Sequence, residues 1–488
     1  MHSMSFLSDP HLDKSRCLAH ALCVSVGHFT SIDEVYDFVL GYVNVEKGQA
    51  TEFKLDRMRW MASELGNPHL GRVTVHVAGS KGKGSVATLI AKTLQTTGAR
   101  TGLYTSPHII SWKERITESG QEIPNDIILK ASEEVFALVQ GKTAETFYGG
   151  ELPTYFELTT LIAFCAFRLA GFEAQVIEVG LGGRLDSTNI VSPDVCVITP
   201  IELEHTQFLG STIPLIAAEK AGIIKKNIPV FTIQPKPDAL GVISGRAKDM
   251  GSPCFVVGRD ILFSSVNVDV TGTCCRLEAT ETSPPALRAL MIENSLEVRT
   301  PLVGSVYAGN MALAALALSQ LPVSLNAGHI QKGFASASMP ARFEIVSRSP
   351  FIVLDGAHTP ESIRTILTTF LQLSPAPRML LFACAYDKRH DEMAELLSPH
   401  FEEIIVTRPG TFKQSAPDLV FASFQKRKPA TLLIESTEDA VQKAICGANE
   451  KGAGLLVTGS FYLCAEFTKS KLCSEQCRSS HPEFRRSK

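Results

Sequence analysis

The segment Gly79-Ser80-Lys81-Gly82-Lys83-Gly84-Ser85 concentrates the residue types that hold phosphate. Glycines let successive backbone N–H groups converge on an anion, a following helix adds its positive end, and a lysine supplies a full charge. Lys83 is then placed for the β- and γ-phosphates of a nucleoside triphosphate, and the Ser85 hydroxyl for the shell of a Mg²⁺ bridging them. Gly79, Gly82 and Gly84 are the positions where bare backbone meets the ligand. The pattern departs from the standard phosphate loop, in which Ser or Thr directly follows the Gly-Lys pair; here Gly84 intervenes. A glycine-rich turn with an incidental lysine is the bland alternative, and the flanking sequence argues against it.

Such a loop works only between a strand and a helix. Residues 73–78 form a β-branched run, residues 85–97 carry a helical pattern, and Gly98 suits the helix end. A helix over 157–169 followed by strands over 174–179 and 195–199 continues the alternation of parallel-sheet α/β folds. Residues 230–301 read as a small β-rich elaboration, 310–320 as an Ala-rich helix, and 333–342 as a linker between domains. Five further strands, near 351–354, 379–383, 404–406, 432–434 and 455–457, stand at helix-sized intervals, and the tail 469–488 is polar, basic and expected to fray. The expected fold class is α/β: an N-terminal P-loop-type doubly wound domain, residues 1–335, and a smaller C-terminal Rossmann-like domain, residues 341–488.

The loop is followed by Tyr104-Thr105-Ser106-Pro107-His108, Glu114-Arg115-Ile116, Thr154-Tyr155-Phe156-Glu157, Glu178-Val179-Gly180-Leu181-Gly182-Gly183-Arg184-Leu185-Asp186, Glu204-His205 and Glu219-Lys220-Ala221-Gly222-Ile223. The C-terminal part adds Arg342-Phe343, Asp355-Gly356-Ala357-His358, Asp387-Lys388 and Thr458-Gly459-Ser460. In kind and order these resemble the motifs of the folylpolyglutamate synthase/dihydrofolate synthase family, within the Mur ligases, over nearly the whole chain. The resemblance implies an ATP-dependent ligase: a dihydropteroate or folate carboxylate is phosphorylated, and the acyl phosphate is attacked by the amine of L-glutamate. It implies Lys83, Lys220 and His358 as catalytic residues. Ser85, Glu157, His205 and Lys220 become ligands of two Mg²⁺ ions, with Lys220 carbamylated. Asn310 lies near adenine, Arg342 on the phosphates and Asp355 on the ribose. Taken singly, Glu157 is equally a helix N-terminal charge, His205 a half-buried imidazole and Lys220 a helix-surface cation.

Departures from the family pattern fall at Ser80, Lys81, Glu204, Tyr307, Ala341 and Thr359; they bear on substrate positioning and leave the phosphate lysine intact. Rival readings are another Mur-type ligase with a different carboxylate acceptor, a non-catalytic ATP-binding regulator, and a motor-type ATPase. A formal charge of −3 over 488 residues gives no electrostatic case for nucleic acid or an anionic membrane. The twelve cysteines include no CxxC pair, so reduced thiols are expected. The apolar run 17–27 makes a weak leader, and the stretch 158–172 is too short to span a bilayer. A cytoplasmic protein, monomeric by family analogy, is the expectation.

Overall fold

The computed structural model describes residues 28–43, 54–410 and 415–480, so the apolar run 17–27 lies outside it. Its largest sheet contains β1 (Val73–Ala78), β2 (Thr101–Tyr104), β3 (Ile116–Glu118), β4 (Gln121–Glu122), β5 (Ala174–Glu178), β6 (Val195–Ile198), β7 (Val230–Thr232) and β8 (Cys254–Val256). The order is β4-β3-β2-β5-β1-β6-β7-β8. β1 runs parallel to both β5 and β6. Such a strand is covered on both faces, which is why it reads Val-Thr-Val-His-Val-Ala with hardly an exposed position. Each valine wholly withdrawn from water there contributes roughly 1.5–3 kcal/mol. The turns after β1, β5 and β6 therefore leave the same edge of the sheet side by side, where ligands bind in open α/β folds.

The second sheet holds β9 (Ile261–Asp269), β10 (Gly272–Ala279) and β11 (Ser295–Thr300), all antiparallel. The expected β-rich stretch 230–301 is thus two things. Its first part, with the helix Pro237–Asp249 between β7 and β8, completes the main sheet, and only its second part is a separate β unit. The turn formers of the first part are the caps of a βαβ connection, which composition alone does not separate from hairpins.

The third sheet comprises β12 (Glu344–Arg348), β13 (Phe351–Asp355), β14 (Arg378–Phe382), β15 (Glu403–Val406), β16 (Leu432–Leu433) and β17 (Gly454–Thr458), ordered β12-β13-β17-β14-β15-β16. All five expected strands are present, together with an antiparallel edge strand, β12. Carboxyl ends of β13, β17 and β14 lie adjacent, so residues 355–358, 458–461 and 383–388 gather at one rim. A large parallel-sheet domain followed by a second α/β domain is the architecture expected. Two local expectations change. Gly333 lies inside the helix Ala327–Ala335, so the irregular connection begins at Ser336; and of the tail expected to fray, residues 469–480 continue the helix Phe461–Ser480, while 481–488 lie outside the described residues. Among the described residues no helix is long and apolar enough to cross a membrane.

Candidate active site

β1 ends at Ala78 and the helix Lys83–Thr96 begins within five residues, so the connecting loop must turn sharply. Gly79 (φ +139°) permits this, since a side chain there would collide with Thr199. Gly82 (φ +87°) caps the helix in the left-handed region. Ser80 and Lys81 donate their backbone N–H groups to the Pro200 carbonyl at 2.9 and 3.2 Å, pinning the loop to the end of β6. Lys83, Gly84 and the buried Ser85 occupy the first helical turn, with the positive end of the helix behind them. Asn310 is buried on the helix Val306–Leu318; its Oδ1 lies 3.0 Å from where a Gly82 Cβ would stand. Gly82 thus has no room for a side chain beside the Asn310 amide.

Two lysines converge on one acceptor. Lys83 Nζ donates to the Gly79 carbonyl at 3.0 Å and Lys220 Nζ to the same oxygen at 2.8 Å. Lys220 is 2% exposed and also donates to Glu204 Oε1 at 2.8 Å. Burial, reinforced by Lys83, brings its pKa down to about 8. Burial pushes the Glu204 carboxyl up, but Lys220 and Lys83 outweigh it and hold the group below its ordinary value. His205 is exposed, in left-handed backbone (φ +47°) at the start of the helix Thr206–Leu209. A small cavity of about 30 Å³ separates Lys83, Lys220, Glu204 and His205 from the Gly180–Gly182 turn after β5.

Glu157 stands elsewhere. Its Oε2 accepts the Thr154 backbone N–H at 2.7 Å while the Thr154 hydroxyl accepts from the Glu157 N–H, a capping box at the start of the helix Tyr155–Leu169. Arg57, 1% exposed, donates Nε to Oε1 at 3.1 Å and Nη2 to Oε2 at 3.0 Å. Both oxygens are engaged by protein donors, so the residue expected to ligate the nucleotide's metal stands here in a helix cap and a buried ion pair. The carboxylate at the loop is Glu178, the last residue of β5. It is buried, accepts the Ser106 backbone N–H at 3.0 Å, and its Oε2 lies 3.5 Å from a Cβ built on Gly84. Burial raises its pKa, opposed by Lys83 and Arg342. A charged residue ending an apolar strand beside the phosphate loop was the available signal for it.

The second domain supplies the opposite wall. Asp355, ending β13, accepts the backbone N–H groups of Phe343 (2.7 Å) and Ala357 (2.8 Å). Burial lifts its pKa against the pull of Arg342. The His358 Nδ1 lies 2.8 Å from the Gly356 carbonyl, which only accepts, so Nδ1 carries the proton and Nε2 presents a lone pair. Burial first, with Lys81, Lys388 and Arg342 adding repulsion, brings the pKa of His358 down to about 4. Charge coupling crosses between the domains: Arg342 acts on Glu178, Lys81 on Asp355 and His358, and Lys388 on His205. Tyr307 lies between them, buried, its phenol pushed up to about 12 by burial and surrounded by Asp355, Arg342 and Ser85. Apart from Glu157, every residue expected in the site lies around this cleft.

Mg²⁺ commonly takes one or two protein carboxylates and completes its shell with water and phosphate oxygens. Glu178, a buried carboxylate beside the loop with the Ser85 hydroxyl near by, fits that donor set. No cluster of three acidic, histidine or cysteine ligands exists among the described residues, and a magnesium–nucleotide site does not require one.

Residues 341–461 match the model of the Mur ligase glutamate ligase domain. The folylpolyglutamate synthase of Lacticaseibacillus casei is 32% identical over 421 residues, covering 85% of this chain and 94% of that protein. A probable bifunctional folylpolyglutamate synthase/dihydropteroate synthase of Haloferax volcanii is also 32% identical, over 84% of this chain, which spans only 47% of its length. A solved Escherichia coli structure in complex with DHPP and ADP superposes with a TM-score of 0.76 at 26% identity, covering 90% of this chain and 98% of that one. With this similarity running through both domains, the chain belongs to the folylpolyglutamate synthase/dihydrofolate synthase family.

Proposed function

We propose that the protein is an ATP-dependent ligase joining the amine of L-glutamate to the carboxylate of dihydropteroate, of a folate, or of both. What carries the reading is the convergence at the Gly79–Ser85 loop of Lys83, Lys220, the buried Glu178 and, from the second domain, Arg342 and His358. The domains are taken as residues 1–335 and 341–488, and the chain as a cytoplasmic monomer.

Phosphoryl transfer needs charge stabilisation more than covalent help. The loop N–H groups and Lys83 receive the nucleotide phosphates, Arg342 approaches them from the other side, Asp355 faces the ribose, and Asn310 lies near adenine. Ser85 and Glu178 are the residues that would hold a Mg²⁺, which when bound supplies further neutralisation of the phosphate charge. The acceptor carboxylate takes the γ-phosphoryl group, giving an acyl phosphate and ADP. The glutamate amine then adds to the acyl carbon, and the tetrahedral adduct expels phosphate to leave the amide. His358, neutral and with Nε2 unprotonated, is suited to accept a hydrogen bond from the glutamate amine and so to place it.

His205, Glu204 and Lys220 line the adjoining cavity and would hold a second cation once Lys220 is carbamylated. A pKa of about 8 leaves an appreciable neutral fraction of the amine to react with CO₂. A carbamate would stand beside Glu204, now 2.8 Å away, so the cation that separates the two anions is part of this reading.

Phosphate release from Mg-ATP and glutamate tests the proposal, with dihydropteroate, tetrahydrofolate or no acceptor, alongside Lys83→Ala. Turnover with dihydropteroate alone assigns dihydrofolate synthesis, and turnover with both acceptors makes the enzyme bifunctional. Nucleotide binding without turnover on either rejects the acceptor class.

A further inference from the structure

We infer that Phe461 is a positioning residue, its ring the shared platform that aims the Arg342 guanidinium and the His358 imidazole into the cleft. The inference rests on the ligase reading above.

Phe461 opens the helix Phe461–Ser480, three residues beyond the end of β17. The guanidinium carbon of Arg342 lies 4.5 Å from the ring centroid. The His358 ring packs against the same phenyl group with centroids 5.9 Å apart and planes at 65°. Gly356 has no room for a side chain because the Phe461 ring fills the space. One ring therefore touches the interdomain connection and the turn after β13, the two segments that bring the second domain's chemistry to the phosphate loop.

The backbone fixes where Arg342 begins. It lies between Ala341 (φ +50°) and Phe343 (φ +47°), two non-glycine residues in left-handed conformation. These are tied down by Gly356 N–H to the Ala341 carbonyl at 3.0 Å and by Phe343 N–H to Asp355 Oδ2 at 2.7 Å. Backbone restraint does not choose among the rotamers of a four-torsion side chain. A carboxylate would, but it would consume the N–H donors that phosphate needs. An aromatic face holds the guanidinium through its plane and leaves the donor fork free at its edge. His358 is treated alike: Nδ1 is spent on the Gly356 carbonyl, the ring rests on Phe461, and Nε2 remains available.

The test compares wild type, Phe461→Leu, Phe461→Tyr, Arg342→Lys and the Phe461→Leu/Arg342→Lys double variant. Readouts are kcat, KM for ATP, ADP affinity by calorimetry, and Tm. Phe461→Leu is expected to lower kcat/KM for ATP about tenfold and to weaken ADP binding, with Phe461→Tyr within about twofold of wild type because the face is retained. Arg342→Lys keeps the charge and loses the stacking plane, so its loss and that of Phe461→Leu should not add. Full additivity, or equal losses for the Leu and Tyr variants, overturns the inference. If Phe461→Leu does not fold, Arg342→Lys alone decides: wild-type kcat/KM in that variant is the overturning result. Wild type that binds ADP but turns over neither acceptor counts against the ligase reading, while the ADP affinities still judge the role of Phe461.

Discussion

Replacing Glu157 and Glu178 in turn by glutamine, one atom changed in each case, should give opposite results. Glu157 is half of a buried ion pair with Arg57, and the geometry is bidentate. Removing one charge strands the other; for buried pairs that costs about 3–5 kcal/mol. Arg57 keeps a second, weaker partner in Glu151 at 3.4 Å, itself 45% exposed, so the lower end, about 3 kcal/mol, is the expected loss. Glu178 has no such partner. Burial raises its pKa in the free protein, so the folded state binds its proton more tightly than the unfolded chain does. Its contribution to stability is full below the unfolded value and lost as pH rises through the folded one. Glu178→Gln should therefore leave the ligand-free protein at least as stable at pH 7 and flatten that part of the pH–stability curve. It should also cut kcat/KM by about a hundredfold or more, the scale set by deleting one preorganised electrostatic group at a phosphoryl-transfer site. Urea denaturation between pH 4 and 8 and phosphate release measure the two quantities. Loss of turnover in a fully folded Glu157→Gln, with turnover retained in Glu178→Gln, would refute the assignment.

Lys83→Ala should abolish phosphate release, by about a thousandfold, with a Tm close to wild type, because the ammonium's hydrogen bond among the described residues goes to the Gly79 carbonyl, which Lys220 also bonds. If carbamylation matters, activity below pH 8 should rise with added bicarbonate, and Lys220→Arg, which cannot form the carbamate, should not respond. The folded pKa of Lys220 is depressed to about 8, so its effect on stability is favourable above its unfolded pKa and fades as pH falls through 8; a Lys220→Met variant should lose that slope in urea titrations. His358→Asn should lower kcat more than KM for ATP and should remove the acidic limb expected for wild type near pH 4 in a pH–rate profile.

Much of the fold was legible because parallel-sheet strands write themselves as short apolar runs, and the five C-terminal runs each became a strand. The phosphate loop was legible for the same reason, since β1 and the helix after it bracket the glycines. Less readable was the stretch 230–301, where proline and glycine mark βαβ connections and hairpins alike, and β7 and β8 were consequently assigned to the wrong unit. The aromatic platform at Phe461 had no sequence signal at all. Its partners Arg342 and His358 are more than a hundred residues upstream and meet it only because β13 and β17 are neighbours.

The two glutamates differ in what local structure already explains. Thr154-Tyr155-Phe156-Glu157 is the S/T-x-x-E pattern of a capping box, so a carboxylate at that spacing has a role within its own helix before any ligand is considered. Glu178 has no such local role, because it ends a strand whose other residues are buried, where a charge costs stability unless something arrives to neutralise it. A residue that local rules account for is a poor candidate for chemistry, and one they penalise is a good one. By that criterion Glu178, rather than Glu157, was the residue to choose from sequence, since the strand before the Gly180–Gly183 turn was already evident and Glu178 was its only charged residue.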